Sequence, residues 1–228
     1  ITNGILGATN DMDYINFISN EEIQKQLATE KSQRNLELSK QIPQKKVKNY
    51  FYRNNQDKTF KNVTSTWVSH GNSYSNGGTT VDLDNDGDLD LVINNINEDA
   101  FVLENTSDQN SQNSYLKIKF KGNSTNIFGI GTTVKAYYQN KVIVEENYTT
   151  KGYLSSVEPK IHLGLGDAKV IDSLEIIWST NAHETLRDIK PNQEIVVYYK
   201  NALKNYSYEV LGKQPSFFVN KDSIIDFK

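Results

Sequence analysis

The sequence predicts a mainly β fold with one short helical stretch near its start. Three observations carry this. Apolar and polar residues alternate in Tyr115-Leu116-Lys117-Ile118-Lys119-Phe120 and Thr133-Val134-Lys135-Ala136-Tyr137, the period of a half-buried strand. Val142-Ile143-Val144, Leu174-Glu175-Ile176-Ile177-Trp178 and Glu194-Ile195-Val196-Val197-Tyr198-Tyr199 add β-type runs. Gly, Asn and Asp separate these runs at the intervals expected of a sandwich or barrel.

Taken from the start, the one helical pattern lies within residues 11–42. Ile15, Ile18, Ile23 and Leu27 recur at spacings of three to five, close to a helical stripe. Asn20 is placed to cap a helix opening with Glu21-Glu22, whose charges suit the helix dipole. Pro43 stops the pattern. One or two helices inserted among strands are expected, as a surface decoration rather than a binding element. Residues 201–228 offer few cues.

The 228 residues suffice for one large or two small domains. A net charge of −3 gives no electrostatic case for nucleic acid. No apolar stretch reaches the roughly 18–20 residues that span a bilayer. Without Cys, the chain forms no disulfide and no thiolate metal site.

The chemistry concentrates in Asp82-Leu83-Asp84-Asn85-Asp86-Gly87-Asp88-Leu89-Asp90, five carboxylates in nine residues. Two such charges about 4 Å apart repel by roughly 4 kcal/mol at an effective dielectric near 20, so the run calls for a cation. Hard oxygen ligands around a turn glycine describe a Ca²⁺ site. The first half matches an EF-hand loop, but position twelve is Ile93 where an EF-hand needs Glu. Thr79-Thr80-Val81 before the run and Leu89/Leu91/Ile93 after it place the loop between strands instead. Asp82, Asp84, Asp86 and Asp90 are assigned as side-chain ligands and Asp88 as a backbone-carbonyl ligand, with Gly87 permitting the turn. The competing reading is a solvated acidic hairpin tip.

This loop resembles that of the FG-GAP/VCBS repeat, the blade unit of integrin-like β-propellers. Asn49 through Thr64, with Tyr52-Arg53-Asn54-Asn55 and Thr59-Phe60, is similar to an earlier part of the repeat, although Gln56 and Lys58 stand where glycines or small residues are usual. The resemblance covers residues 49–106. A second block resembles the ASPIC/UnbV domain through Gly129-Ile130-Gly131-Thr132, Gly152-Tyr153-Leu154-Ser155-Ser156, His162-Leu163-Gly164-Leu165-Gly166 and Ile176-Ile177-Trp178. The two resemblances imply a β-propeller-type repeat with a helical insertion, followed by a β-sandwich or barrel-like domain. The expected divisions are 1–48, 49–108, 109–200 and 201–228. The opening and closing residues are similar to parts of neighbouring repeats, and an interior piece of a longer protein is expected.

Other chemistry is weaker. Ser155 and Ser156 lack a nucleophile-elbow context. Gly164-x-Gly166 reads as a tight turn, and His162 as a packing residue at a strand end. Glu145, Glu146 and Glu158 have nothing to mark them as a glycosidase pair. Tyr137, Tyr138, Tyr148, Tyr153 and Trp178 could form a sugar platform, but core or cross-strand packing is the stronger expectation. Asn62, Asn105, Asn123, Asn147 and Asn205 open N-x-[ST] sequons.

The expected function is that of a non-enzymatic, calcium-stabilised binding or scaffold protein at the extracellular face of a bacterial outer membrane. Proteins of this type in Bacteroidetes resemble surface lipoproteins, so a SusC/SusD-type nutrient-uptake complex is the expected partner. The alternatives are a glycan- or peptide-capturing module and, less favoured, a surface hydrolase.

Overall fold

The computed structural model describes residues 12–28, 46–107 and 113–208. The chain is mainly β. Helices α1 (Met12–Ile18) and α2 (Glu21–Ala28) form the helical stretch. Asn20 Oδ1 accepts the backbone N–H of Glu22 at 2.9 Å and of Ile23 at 3.4 Å, so it caps α2 as its position predicts. Pro43, the chain opening and the segment after 208 lie outside the described residues.

Strands β1 (Tyr52–Asn54) and β2 (Phe60–Asn62) make a hairpin, and α3 (Thr64–Trp67) follows. Strands β3 (Ser75–Val81), β4 (Asp90–Asn95) and β5 (Phe101–Leu103) form an antiparallel sheet. Its small interior is partly polar. Asn49 Nδ2 donates to Ser75 Oγ at 2.6 Å, and Ser75 Oγ donates to Asn95 Oδ1 at 2.8 Å. Tyr74 and Ile93 are buried beside this network.

The β1–β2 turn holds Gln56 at φ 65° and Lys58 at φ 70°. These are the two positions where the resembled repeat carries glycine or a small residue. A side chain in the left-handed region costs roughly 1–2 kcal/mol, partly offset by the lower entropy of the unfolded chain. Replacing both, Gln56→Gly with Lys58→Gly, is expected to raise stability by about 1 kcal/mol. Urea denaturation checks this through a higher midpoint at unchanged slope.

The remaining strands build a sandwich. One sheet has the order β12 (Gln193–Tyr198), β6 (Ser114–Lys121), β9 (Lys160–Gly166), with β12 parallel to β6. The other has the order β13 (Lys204–Asn205), β11 (Ala182–Ile189), β10 (Ile171–Ile177), β7 (Thr133–Tyr138), β8 (Lys141–Glu146). Between them lie Leu116, Ile118 and Phe120 from β6, Ile161, Leu163 and Leu165 from β9, Val134 and Ala136 from β7, and Leu174 and Ile176 from β10. The alternation that predicts β6 and β7 is thus the alternation that fills the core.

Two local expectations need correction. His162 lies within β9, opposite Lys117, rather than at a strand end. Gly164 is also inside β9, opposite Tyr115; only Gly166, with φ 58°, turns the chain. Trp178 belongs to the core, 3% exposed, with its ring edge-on to Phe120 and Tyr199 at 5.8 and 5.3 Å. Asn147 is 1% exposed and donates from Nδ2 to the Phe128 and Gly129 carbonyls, so its sequon serves the fold and not a glycan.

Candidate metal centre

The acidic run forms the loop between β3 and β4, closed by the pairing of Val81 with Asp90. Its path is set by its own side chains. Asp84 Oδ1 accepts the Asp86 N–H at 3.2 Å, and Asp86 Oδ1 accepts the Asp88 N–H at 3.0 Å, each a local side-chain turn. Asn85 and Gly87 take φ of 66° and 100°. These turns bring Asp82, Asp84 and Asp86 together, with one oxygen from each within 4.8 Å of the others.

The loop's last aspartate acts as a clasp. Asp90, 3% exposed, accepts the Leu83 N–H on Oδ2 at 2.9 Å and the Asn105 N–H on Oδ1 at 2.8 Å. Each oxygen keeps a further lone pair. Asn105 also donates from Nδ2 to the Leu89 carbonyl at 3.2 Å, tying the chain after β5 to the loop. Asp88 turns its carboxylate toward Ser107, whose Oγ donates to it at 2.9 Å.

Asp82 is the informative ligand candidate, because it is buried. Oδ2 accepts the Gly87 N–H at 3.2 Å and pairs with Lys117. Oδ1 has no protein hydrogen-bond partner among the described residues. A buried carboxylate oxygen without a partner is costly. Three converging carboxylates, one with such an oxygen, form a donor set that suits a hard, oxygen-seeking cation.

The loop is wedged against the sandwich. The Tyr115 ring covers Gly87 so closely that a Cβ there would fall 1.9 Å from a ring carbon. His162 stacks on Tyr115 at 5.8 Å, with the rings within 9° of parallel, and its Nε2–H donates to the Gly87 carbonyl at 2.8 Å. A second contact joins β3 to the 152–156 segment. Ser155 Oγ accepts the Gly78 N–H at 2.9 Å, and Thr79 Oγ1 donates to the Ser156 carbonyl at 2.8 Å. Gly77 allows this approach, since a Cβ there would lie 3.0 Å from the Leu154 carbonyl oxygen.

Family comparison agrees with this layout. The FG-GAP-like repeat family matches residues 44–93, and the family described as ASPIC and UnbV matches residues 122–204. The chain carries an FG-GAP-like repeat followed by an ASPIC and UnbV domain. No curated protein matches it significantly. The acidic loop lies wholly within the span matched to the FG-GAP-like repeat. Ser155 and His162 lie within the span matched to the ASPIC and UnbV domain, while Tyr115 and Lys117 stand on the strand just before it.

The other candidates remain apart from this site's chemistry. Glu145, Glu146 and Glu158 line a shallow cleft between repeat and sandwich, where Lys160 holds Glu158 at 2.6 Å. Glu145 and Glu146 are exposed, so these acids do not form the buried pair that a hydrolase reading calls for. Among the platform aromatics, Trp178 and Tyr138 are buried and Tyr153 is 71% exposed on a different loop. Tyr115, Lys117 and His162 were not legible as site residues. For Tyr115 and Lys117 the only sequence signal is position on the non-core face of a strand, whereas His162 stands in a recognisable motif but reads there as a packing residue.

Proposed function

We propose that this chain is a non-enzymatic, calcium-stabilised binding or scaffold unit of a protein exposed at the bacterial cell surface. The observation that carries the reading is the buried Asp82 oxygen, without a partner, in a loop clamped between repeat and sandwich. Asp82, Asp84 and Asp86 would hold Ca²⁺ through their side chains. Asp90 would use the lone pairs its clasp leaves over, and Asp88 its carbonyl. The metal would neutralise the carboxylates and stiffen the wedge.

A structural Ca²⁺ clip of the kind found in extracellular modules, which bind at about 10⁻⁴–10⁻³ M, suits an extracellular location. No described helix is long and apolar enough to cross a membrane. The likeness of the two-domain arrangement to Bacteroidetes surface lipoproteins supports an outer-membrane partner of the SusC/SusD type.

Thermal melting tests the metal. A ligand at ten to a hundred times its dissociation constant stabilises by about 1.4–2.7 kcal/mol, or roughly 3–10 °C for a chain of this size. Melting in millimolar CaCl₂ should exceed melting in EGTA by that amount. Equal melting temperatures, after confirmed metal removal, defeat the calcium reading. Partner and location are tested by purifying the parent protein in mild detergent. Recovery with a transporter from the outer-membrane fraction supports the proposal, whereas recovery from the cytosol rejects it.

A further inference from the structure

The loop already faces one cation that belongs to the chain. Lys117 lies in the middle of β6, on the face turned away from the sandwich core, and is only 6% exposed. Its Nζ pairs with Asp82 Oδ2 and lies 5.2 Å from the centre of the Tyr115 ring. Its cross-strand neighbours are His162 and Glu194. Among the described residues, Asp82 is the one carboxylate within ion-pairing distance of Lys117. Lysine is rarely buried without a partner, and this partner is supplied by the other domain.

We propose that Lys117 is an internal counter-ion that sets the metal affinity of the repeat's loop from the neighbouring domain. The inference rests on the metal-site reading above. Lys117 and a metal ion would share one carboxylate, and two cations at such separation repel strongly where water is scarce. The ammonium has little room to swing away, because the side chain is buried with its Nζ between Asp82 and the Tyr115 ring. Two consequences follow from one contact. The ion pair keeps the loop docked when metal is scarce, and it lowers the loop's affinity for metal. Removing the lysine charge therefore strengthens metal binding and weakens the metal-free protein.

Calorimetric titration of the 228-residue chain with CaCl₂, alongside melting in EGTA and in saturating calcium, tests this. Lys117→Met and Lys117→Gln should each bind calcium at least tenfold more tightly than the parent. Both should melt several degrees lower in EGTA and recover most of the loss in calcium. Lys117→Arg, which keeps the charge, should stay within threefold of the parent. Folded Met and Gln variants that bind calcium equally or more weakly overturn the proposal. Variants that fold only with calcium support it, and variants that fold under neither condition overturn it. Should the parent bind no calcium while the uncharged variants do, the lysine fills the site itself and the inference stands. Should none of them bind calcium, the metal-site reading fails, and this inference falls with it.

Discussion

Gly87→Ala should lower the melting temperature by about 6–12 °C and weaken calcium binding. Two effects add. The residue sits at φ 100°, a conformation L side chains rarely adopt, at a cost of order 1–3 kcal/mol. The new Cβ would also fall 1.9 Å from a Tyr115 ring carbon. Such an overlap forces the ring or the loop aside, at roughly 1–3 kcal/mol. Because the exposed side of the loop can shift and relieve part of the overlap, the total falls in the lower part of the combined range, about 3 kcal/mol, which gives the stated shift at roughly 2–4 °C per kcal/mol. A double-mutant cycle separates the parts. Tyr115→Ala in the Gly87→Ala background should recover the steric share and leave the backbone share. A Gly87→Ala protein that melts within 2 °C of the parent would contradict the wedged packing.

Asp90→Ala should cost about 2–4 kcal/mol, most of it independent of metal. The substitution leaves the Leu83 and Asn105 N–H groups, both in part-buried bonds, without their acceptors, each at roughly 1–2 kcal/mol. Asp90→Asn keeps a single acceptor oxygen and should lose about half as much. Asp84→Asn provides the contrast. Asp84 is exposed, so its change should leave melting in EGTA nearly unaltered and reduce the gain on adding calcium. Denaturant titration of the three variants with and without calcium checks the pattern. Equal losses for Asp90→Ala and Asp84→Asn in EGTA would refute the clasp.

The acidic loop was legible because its chemistry is local. Spacing, turn glycine and flanking β residues all fall within about twenty positions, and the structure brings Asp82, Asp84 and Asp86 together there. Strands β6, β7 and β10 were legible because one face of each is buried, which writes period-two alternation into the sequence. Strand β11 was not. Its run Ala182-His183-Glu184-Thr185-Leu186-Arg187-Asp188-Ile189 is mostly polar, and pairing with β10 and β13 places it in the sheet. The sandwich side of the site was illegible for a different reason. Lys117 and His162 stand 35 and 75 positions from their partners Asp82 and Gly87. In a strand pattern, Lys117 reads as a solvent-facing residue and His162 as a packing residue. Only the folded register reveals that this face meets the other domain.

The Ser155–Gly78 contact has a consequence for how such proteins vary. The Gly-Tyr-Leu-Ser-Ser segment that marks one family rests on the Asn-Gly-Gly segment that leads into the other family's loop. A larger residue at 77 would need a retreat at 154, and a lost hydroxyl at 155 would strand an amide at 78. The two segments are therefore expected to change together among relatives that keep both domains. A repeat transplanted from elsewhere would need a matching 152–156 segment to seat. The unit that recombination can move intact is the repeat and the sandwich as a pair.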